Sequence, residues 1–457
     1  MLADLLQHLF VLAPVWPALA ALVIATLFTL PGRPAERVVS GIATVGLWLS
    51  LASALAGVAY RVSGGSPDVR LGFWYQAVDY EFPLVMLVDG LAVAMSTFIA
   101  VMVLTTARFS VTYLHREPGF IRFFLLMLFF AAGMQLMVLA GSVELMFIGW
   151  EIVGITSVLL VGFFHERTQP VQAAIRVLVT YRICDIGLLL SGVRLHHWLG
   201  TTVWTDVFPA AASHTPSFTA TAIALGFAFA AMGKSAQFPL GGWLPRAMEG
   251  PTASSAIFYG CLSVHAGVFL LIRAAPLFGH SPLACTALIV IGLATALMAS
   301  LSSQVSADAK SAVAYATATQ VGLMFVECGL GFHDLATVHL ITHATLRYYQ
   351  FLRTPSALHD ALARQAMLGR TEQDEAAARW EEVALVRRRW LYRLAHERFA
   401  VEAALDRWIT RPIMSFSRSL GRLENRFLAL HEKTQPPIGP ELSRPLPAAS
   451  PLEERRP

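Results

Sequence analysis

The sequence predicts an all-α, polytopic membrane protein, and two observations lead to that prediction. First, 56% of the 457 residues are hydrophobic and only 14% are charged, whereas soluble domains carry about 25% charged residues. Second, apolar runs of about 20 residues, long enough to cross a bilayer, recur along most of the chain. This composition excludes a water-soluble enzyme and a disordered chain. The formal charge of +4 is too small and too dispersed for nucleic-acid binding.

Eleven apolar runs are long enough to cross a bilayer core of about 30 Å as helices. Lipid offers no hydrogen-bond partners, so each run must satisfy its own backbone as a helix. The runs are too long and too evenly apolar for outer-membrane strands. No small-residue cleavage site follows the first run, so we interpret it as a retained span. The predicted spans are 8–30, 39–60, 84–106, 121–140, 144–164, 171–193, 218–237, 252–274, 282–302, 311–330 and 335–353.

Basic residues in the connections predict the orientation of these spans. With the N-terminus outside, more of them fall on the inside, as the positive-inside rule requires. The odd number of spans then places the C-terminus in the cytoplasm. The inside residues are Arg33, Arg37, Arg108, Arg116, Arg167, Arg246 and Lys310, and the outside residues are Arg61, Arg70 and Arg194.

The composition changes near the end of the chain, where the last 102 residues hold 17 of the 34 Lys and Arg. Periodic apolar residues over 357–366 and 376–431 predict amphipathic helices. These helices are either a solvated basic flank of the membrane domain, or they lie on the membrane surface or against a partner. The predicted segments are N-terminal transmembrane helices (1–80), a central transmembrane domain (81–355), amphipathic cytoplasmic helices (356–434) and a flexible Pro-rich tail (435–457).

Ionisable residues inside the spans indicate function, because burying a charge in lipid is costly. Glu144 and Glu151 are seven residues apart and therefore share one helix face, although Glu144 lies near a span end and fits an interfacial role. Arg182 and Asp185 are three residues apart and can pair on one helix. That pair is either part of an ion path or a neutral structural element.

A polar stripe runs down the eleventh span, where His339, His343 and Arg347 follow one another at steps of four. Histidines titrate near neutrality and can relay protons. His265 in the eighth span is either a relay group or a hydrogen-bonded core histidine. Lys310 begins the tenth span and adds a further titratable group to the set.

The seventh span combines a buried lysine with a predicted helix break. Pro239 follows Lys234 closely and removes a backbone donor, so it should break or end the helix. Transporters use a broken helix beside a charged residue at ion sites near the midplane of the membrane. Whether Lys234 keeps its proton depends on its burial and on the nearest carboxylate, so movement of Glu151 would control proton transfer. The buried charges together predict a proton path.

Several of these stretches resemble the proton-translocating antiporter-like subunits, namely the L-type subunit of respiratory complex I and the A-type subunit of multisubunit cation/proton antiporters. The resemblance extends over roughly Phe82 to Arg347, and the combination of GWE, GKSAQFPL and GPT is highly specific. The similar stretches are VDGLAVAM (88–95), ELMFIGWEIVGITSVLLVGF (144–163), VTYRICDIG (179–187), GKSAQFPLGGWLPRAMEGPT (233–252), DAKSAVAYATATQVGLMF (308–325) and HLITHATLR (339–347).

The resemblance implies a role for each of the buried charges. Glu151 would be the essential glutamate of the fifth helix, and Lys234 its partner lysine in the broken seventh helix. Lys310 would be the central bridging lysine. The remaining roles are an intramembrane ion pair for Arg182 and Asp185, and relay histidines for His339 and His343.

Three departures from the family pattern stand out. Tyr259 takes the place of a histidine in the complex I subunit, and His265 follows six residues later. Arg347 replaces the usual lysine, and arginine effectively never gives up its proton. After about Leu352 the chain is no longer membrane-like, whereas the usual family member continues into a second broken helix. We therefore expect an incomplete second inverted repeat.

Two further stretches, GGWLPRAMEGPTASSAIFYGCLSVHAGVFLLIR (241–273) and YYQFLRTPSALHD (348–360), look like the DabB membrane subunits of DAB-type inorganic carbon pumps. This resemblance implies a partner, DabA, which is a cytoplasmic zinc subunit related to carbonic anhydrase. Proton flow through the present chain would then drive one-directional CO2 hydration by the partner. Two alternatives remain, an L-like subunit of an NADH-quinone oxidoreductase or hydrogenase and a subunit of a Na+/H+ antiporter.

The cysteines and the apolar spans lead to expectations about cofactors and cellular location. The four cysteines, Cys184, Cys261, Cys285 and Cys328, lie in apolar runs without metal-type spacing, so we expect no zinc site or disulfide framework in this chain. Catalysis and zinc would belong to the partner. We expect a multi-pass protein of the bacterial inner membrane, in contact with the lipid bilayer and able to form higher assemblies of the heterodimer.

Overall fold

A computed structural model describes residues 2–77, 80–213, 218–306, 308–354, 386–405, 407–408 and 411–434. The chain divides into two units between Phe399 and Ala400. The larger unit is a bundle of α-helices with one β-hairpin. The smaller unit contains two further helices.

The helices and strands of the first half follow the apolar runs of the sequence. They are α1 (Leu2–Val11), α2 (Val15–Thr29), α3 (Glu36–Val62), β1 (Asp68–Ala77), β2 (Tyr80–Leu87), α4 (Gly90–Tyr113), α5 (Phe120–Leu139), α6 (Val143–Val161), α7 (Thr168–Leu199), α8 (Trp204–Ala212) and α9 (Phe218–Lys234).

The second half begins with two 3₁₀ turns and an irregular helix. The turns are Gly241–Trp243 and Arg246–Glu249, and the irregular helix consists of α10 (Thr252–Ser254), a π-helical segment (Ser255–Cys261), a 3₁₀ turn (Ser263–His265) and α11 (Ala266–Arg273). The helices that follow are α12 (Ala275–Phe278), α13 (Pro282–Gln304), α14 (Ala309–Gly329), α15 (His333–Arg353), α16 (Val386–His396), α17 (Val401–Leu405) and α18 (Arg411–Thr434).

Six helical stretches in the described residues are long and apolar enough to cross a membrane. The bent pair Asp4–Val11 and Val15–Thr29, which turns by 44°, would make a seventh if it acts as one span. The helices α7, α14 and α15 are also long, but they carry the ionisable residues. The predicted total of eleven spans therefore stays a prediction. The six stretches are Glu36–Val62, Gly90–Tyr113, Phe120–Leu139, Val143–Val161, Thr252–Arg273 and Pro282–Gln304.

The all-α prediction is wrong at one place, because β1 and β2 form an antiparallel hairpin. The predicted third span began at residue 84, whereas the helix begins at Gly90. The apolar residues Val85, Met86 and Leu87 are buried in strand β2, which explains why the sequence looked like a continuous span. A buried strand and a helix cannot be distinguished by a short apolar run alone.

Asp89 marks the change from strand to helix. Its carboxylate caps α4 by accepting a hydrogen bond from the Ala92 amide at 2.8 Å. The two oxygens of the same carboxylate also accept hydrogen bonds from the two terminal nitrogens, Nη1 and Nη2, of the Arg273 guanidinium, which is buried at the end of α11. This ion pair joins the start of α4 to the end of the irregular helix that carries His265.

Glycines allow close contacts between helices in the bundle. A Cβ atom added at Gly322 on α14 would lie 2.7 Å from the Gly292 carbonyl oxygen on α13. Small residues at such crossings let two helix backbones approach within a membrane, where van der Waals packing drives association. The pairing of α13 with α14 therefore depends on the absence of side chains at this crossing.

The predicted C-terminal segments are only partly described. α16, α17 and α18 lie within the predicted amphipathic region, and in the larger unit the Ser302 hydroxyl on α13 donates to the Ala395 carbonyl of α16 at 3.2 Å. The predicted helix over 357–366 and the Pro-rich tail over 435–457 lie outside the described residues.

The α13–α14 crossing leads to a stability prediction. Replacing Gly322 with leucine should lower the thermal stability in detergent, because overpacking of a tight contact costs about 1–3 kcal/mol. The matched control is Gly41→Ala on α3, where an added Cβ meets nothing within 4 Å. Thermal unfolding should separate the two variants, and an unchanged Tm for Gly322→Leu would contradict the predicted close packing.

Candidate ion-translocation site

The first cluster of charges lies between α6, α7 and α9. Helix α6 begins after Ser142, whose hydroxyl caps it by accepting from the Leu145 amide at 3.3 Å. Glu151 lies about two turns further along the helix. The guanidinium of Arg182 on α7 forms ion pairs with Glu151 and, at 3.0 Å, with Asp185. One arginine therefore bridges two carboxylates, and the cluster needs a second cation to balance its charge.

Trp150 joins Asp185 to that second cation, Lys234. The indole Nε1–H donates to Asp185 Oδ1 at 2.5 Å, and the backbone carbonyl of Trp150 accepts from Lys234 Nζ at 3.0 Å. Asp185 is 4% exposed and Lys234 is 1% exposed. Buried charges are tolerated only with such partners, because their removal from water is otherwise expensive.

Two aromatic rings complete the surroundings of Lys234. Its Nζ lies 4.9 Å from the ring centre of Trp150 and 4.4 Å from that of Tyr181, which are cation–π distances. In the described part of the chain, no carboxylate oxygen lies within 4 Å of Nζ. The structure thus pairs Glu151 with Arg182, whereas the resemblance implied a direct lysine partner.

The helix break is formed around Lys234, which is the last residue of α9. The carbonyl of Gly233 accepts from the Trp243 indole at 3.0 Å, so the helix end is satisfied by a side chain. Ala236 then takes a left-handed conformation with φ of +52°. Helix α9 therefore ends before Pro239, which lies in the irregular connection. A cation at a helix C-terminus is favoured by the helix dipole.

The second cluster lies between the irregular helix and α15. His265 Nε2 and His343 Nδ1 are 3.0 Å apart, and Arg347 Nε donates to His343 Nε2 at 3.0 Å. An arginine nitrogen can only donate, so Nε2 of His343 is the acceptor. A neutral His343 therefore carries its proton on Nδ1 and donates it to His265. These contacts join three of the residues predicted from the sequence.

His265 reaches this position because its helix is irregular. The π-helical segment Ser255–Cys261 inserts extra residues into the helical repeat, and the 3₁₀ turn Ser263–His265 tightens it again. Such changes of helical period alter which face a residue occupies, and they recur at functional sites. His265 is therefore placed against His343, a contact that fits both a relay group and a hydrogen-bonded core histidine.

The third histidine of the stripe pairs with a carboxylate on the neighbouring helix. His339 Nδ1 lies 2.8 Å from Glu327 Oε1 on α14, and the rings of His339 and His343 are 5.9 Å apart. The sequence offered no partner for Glu327, because the two residues meet only when α14 packs against α15.

Hydroxyl and aromatic groups lie between the two clusters. The Tyr259 hydroxyl donates to the Ser157 carbonyl at 3.2 Å, and the Ser157 and Ser263 hydroxyls are 3.4 Å apart. The ring of Trp243 lies 5.7 Å from that of Tyr259. Ser263 precedes His265 by two residues, so polar groups continue from α6 towards the histidines.

Lys310 lies apart from both clusters. It is the second residue of α14, two positions after the capping residue Asp308, and it is partly exposed. Arg347 contacts α14 at the Ala316 carbonyl, about 9 Å further along the helix. Within the described residues Lys310 makes no hydrogen bond or ion pair, so the structure does not join it to the path.

Sequence reasoning did not single out several residues that shape the site. Gly154 leaves room for the lysine, since an added Cβ would lie 2.8 Å from Lys234 Nζ. The others are Trp150, Tyr181, Trp243, Ser157 and Ser263. The sequence feature that could have identified them is their position next to a charged motif. Aromatic and small residues at such positions usually serve packing, so this feature alone does not indicate a role in the site. The described residues contain no group of three or more His, Cys, Asp or Glu that could hold a metal ion.

Comparisons with known proteins agree with the arrangement of the helices. Residues 140–370 match the family described as NADH:quinone oxidoreductase/Mrp antiporter, TM, and residues 74–124 match the N-terminus of chain 5 of NADH-ubiquinone oxidoreductase. The solved Mrp complex from Dietzia sp. has a TM-score of 0.65 at 27% identity, covering 76% of this chain and 37% of that one.

Two curated relatives come from different complexes. The probable inorganic carbon transporter subunit DabB1 of Halothiobacillus neapolitanus is 36% identical over 77% of this chain and 62% of its own length. Subunit L of the NADH-quinone oxidoreductase of Escherichia coli is 33% identical over 72% of this chain and 54% of its own length. The chain thus spans less than two thirds of these relatives. It belongs to the antiporter-like membrane subunits of the NADH:quinone oxidoreductase and Mrp antiporter family, and it resembles DabB.

Proposed function

We propose that this chain is the proton-conducting membrane subunit of an energy-coupled inorganic carbon pump. The observation that carries the proposal is the buried Lys234, which is held by a carbonyl and two rings while Glu151 is held by Arg182. The similarity to DabB1 over 77% of the chain favours the carbon pump among the complexes that contain such subunits.

In the proposed mechanism, Glu151 exchanges between two cations, Arg182 and Lys234. Arg182 already shares its guanidinium with Asp185, so release of Glu151 leaves that arginine with a partner. Glu151 could then approach Lys234, and a carboxylate beside an ammonium favours its protonated state. Return of Glu151 to Arg182 would free the lysine to give up its proton. The exchange would act as a gate, because it would alter the proton affinity of Lys234.

The proton would leave Lys234 through the hydroxyl and histidine groups. Tyr259, Ser157 and Ser263 lie between the first cluster and His265, which contacts His343. Arg347 is charged throughout and keeps His343 in one tautomer, so it would orient the relay without carrying the proton itself. Lys310 would take part only after a rearrangement that brings it towards α15.

The membrane potential would supply the energy, about 2.3 kcal/mol per charge per 100 mV. The zinc chemistry of CO2 hydration would belong to a DabA-like, carbonic-anhydrase-related cytoplasmic partner. Coupling requires that the state of this partner also changes the proton path, because allosteric effects on binding are reciprocal. We place the chain in a bacterial inner membrane, with its N-terminus outside and its C-terminus in the cytoplasm.

A second candidate is an L-like subunit of an NADH-quinone oxidoreductase or a subunit of a Na+/H+ antiporter. The 33% identity with subunit L and the fold similarity to the Mrp complex favour it. Purification of the tagged chain from its native membrane separates the candidates. A carbonic-anhydrase-related zinc protein among the co-purifying chains supports the carbon pump, and redox subunits or other antiporter subunits support the alternative.

The first functional prediction concerns the Glu151–Lys234 gate. In cells without native carbonic anhydrase, the double variant Glu151→Gln and Lys234→Ala should lower uptake of labelled inorganic carbon by about tenfold or more, because neither group can then exchange a proton. Arg194→Gln on the same helix as Arg182 is the control, since Arg194 is exposed near the end of α7. Uptake by the double variant at the wild-type rate would rule out the proposed path.

The second functional prediction concerns the histidine contact. His265→Phe keeps a ring in the buried site but removes the hydrogen bond to His343, so proton flux into vesicles should fall by about tenfold or more. His197→Gln, at an exposed position on α7, should leave the flux unchanged. Normal flux in His265→Phe would show that protons bypass this contact.

A further inference from the structure

A cavity of about 480 Å³ lies beside the β-hairpin, at the end of the bundle where α6 begins. Its lining comes from the hairpin, from the end of α7 and from the connection into α8. The polar lining residues are Arg70, Glu81, His196, Thr201, Thr202 and Asp206. The cavity is large enough to hold several water molecules, since each occupies about 30 Å³ in the liquid.

The walls of this cavity are held by backbone and ionic contacts. Arg70 in β1 donates to Asp206 on α8 at 2.9 Å. The connection between α5 and α6 is hydrogen-bonded to both the hairpin and the start of α8. The Gly141 amide donates to the Val85 carbonyl in β2 at 2.7 Å, and the Trp204 amide of α8 donates to the Gly141 carbonyl at 2.9 Å. The hairpin is therefore fixed in place as one wall of the cavity.

A partly buried hydrogen bond leads from the cavity into the bundle. Thr202 lines the cavity and is 3% exposed, and its hydroxyl donates to Glu144 Oε2 at 2.6 Å. Glu144 lies in the first turn of α6, on the same face as Glu151 and about 10 Å from it along the helix. A carboxylate in this turn would also suit the helix dipole, but that role requires neither the cavity nor the Thr202 contact.

We propose that this cavity is an aqueous vestibule through which protons pass between the outer surface and Glu151, with Thr202 and Glu144 as the connecting groups. The inference rests on the proposed proton-conducting function. It adds an access route, and it assigns a role to Glu144 beyond that of an interfacial charge. The species that passes through the vestibule is a proton carried by water. Water needs polar groups and sufficient space in the cavity, but it needs no set of coordinating side chains.

The first test uses a blocking reagent on right-side-out vesicles that contain the full chain with its partner. In a Cys285→Ser background, Thr201→Cys places a thiol in the cavity wall, and Ser63→Cys places one on the exposed end of α3 outside the cavity. The membrane-impermeant reagent is a trimethylammonium methanethiosulfonate, added outside. Mass spectrometry reports the labelling, and a pH-sensitive dye reports the proton flux.

We expect both thiols to be labelled, with proton flux blocked only in the Thr201→Cys protein. Labelling of Thr201→Cys without loss of flux overturns the inference. Failure to label Thr201→Cys while Ser63→Cys reacts also overturns it. The Ser63→Cys protein controls for labelling near the same end of the bundle.

The second test compares two carboxylates. Glu144→Gln can still accept the hydrogen bond from Thr202 but cannot carry a proton, so flux should fall by about tenfold. Glu166→Gln, at an exposed position in the connection between α6 and α7 and outside the cavity lining, should leave the flux unchanged. In the same assay, Thr202→Ser should keep the flux and Thr202→Val should reduce it.

Comparison with Lys234→Ala separates the two ideas. If Lys234→Ala stops the flux and Glu144→Gln does not, the proposed function stands and the vestibule is overturned. If the wild-type chain with its partner carries no proton flux, both are overturned. Loss of flux in Lys234→Ala, Glu144→Gln and labelled Thr201→Cys supports the vestibule.

Discussion

The ion pairs of Arg182 are the interaction on which the site depends. This guanidinium holds both Glu151 and Asp185, and it thereby leaves Lys234 without a carboxylate of its own. A buried ammonium in that position needs other partners, which are the Trp150 carbonyl and the rings of Trp150 and Tyr181. The charges balance over the cluster as a whole, although they are not paired one to one.

This uneven pairing explains features that would otherwise look incidental. Gly154 has no side chain because a Cβ would occupy the space of the lysine ammonium. Helix α9 ends at Lys234 because the Trp243 indole satisfies the freed carbonyl of Gly233 and the following backbone turns left-handed at Ala236. The helix break thus places a cation where the helix dipole favours it.

The second cluster uses an arginine in a different way. Arg347 donates to His343 and to the Ala316 carbonyl, so it holds α15 against α14 and selects the tautomer of the histidine. A lysine could lose its proton at this position, whereas an arginine stays charged. Under the proposed function, Arg347 would act as a fixed orienting charge where a lysine could carry a proton. The contact between His343 and His265 would then supply a neighbouring titratable group.

Most of the helices could be predicted because a run of about 20 apolar residues has few stable alternatives in lipid. The hairpin could not, since the buried strand residues Val85 to Leu87 are as apolar as the helix that follows them. Nor could the π-helical segment Ser255–Cys261, because a change of helical period depends on packing by neighbouring helices. Family motifs identified Tyr259 and His265 as unusual, but their positions depend on that local irregularity.

The amino-acid pattern alone established the membrane class, most of the helical segments and the identities of the charged groups, because hydropathy and residue spacing are local properties. The partners of those groups were decided by the packing of separate helices. Glu151 was predicted beside Lys234 and lies against Arg182, and Glu327 found His339 only through the contact of α14 with α15. Such distances depend on how helices rotate and cross, and neighbouring residues in the chain do not specify them.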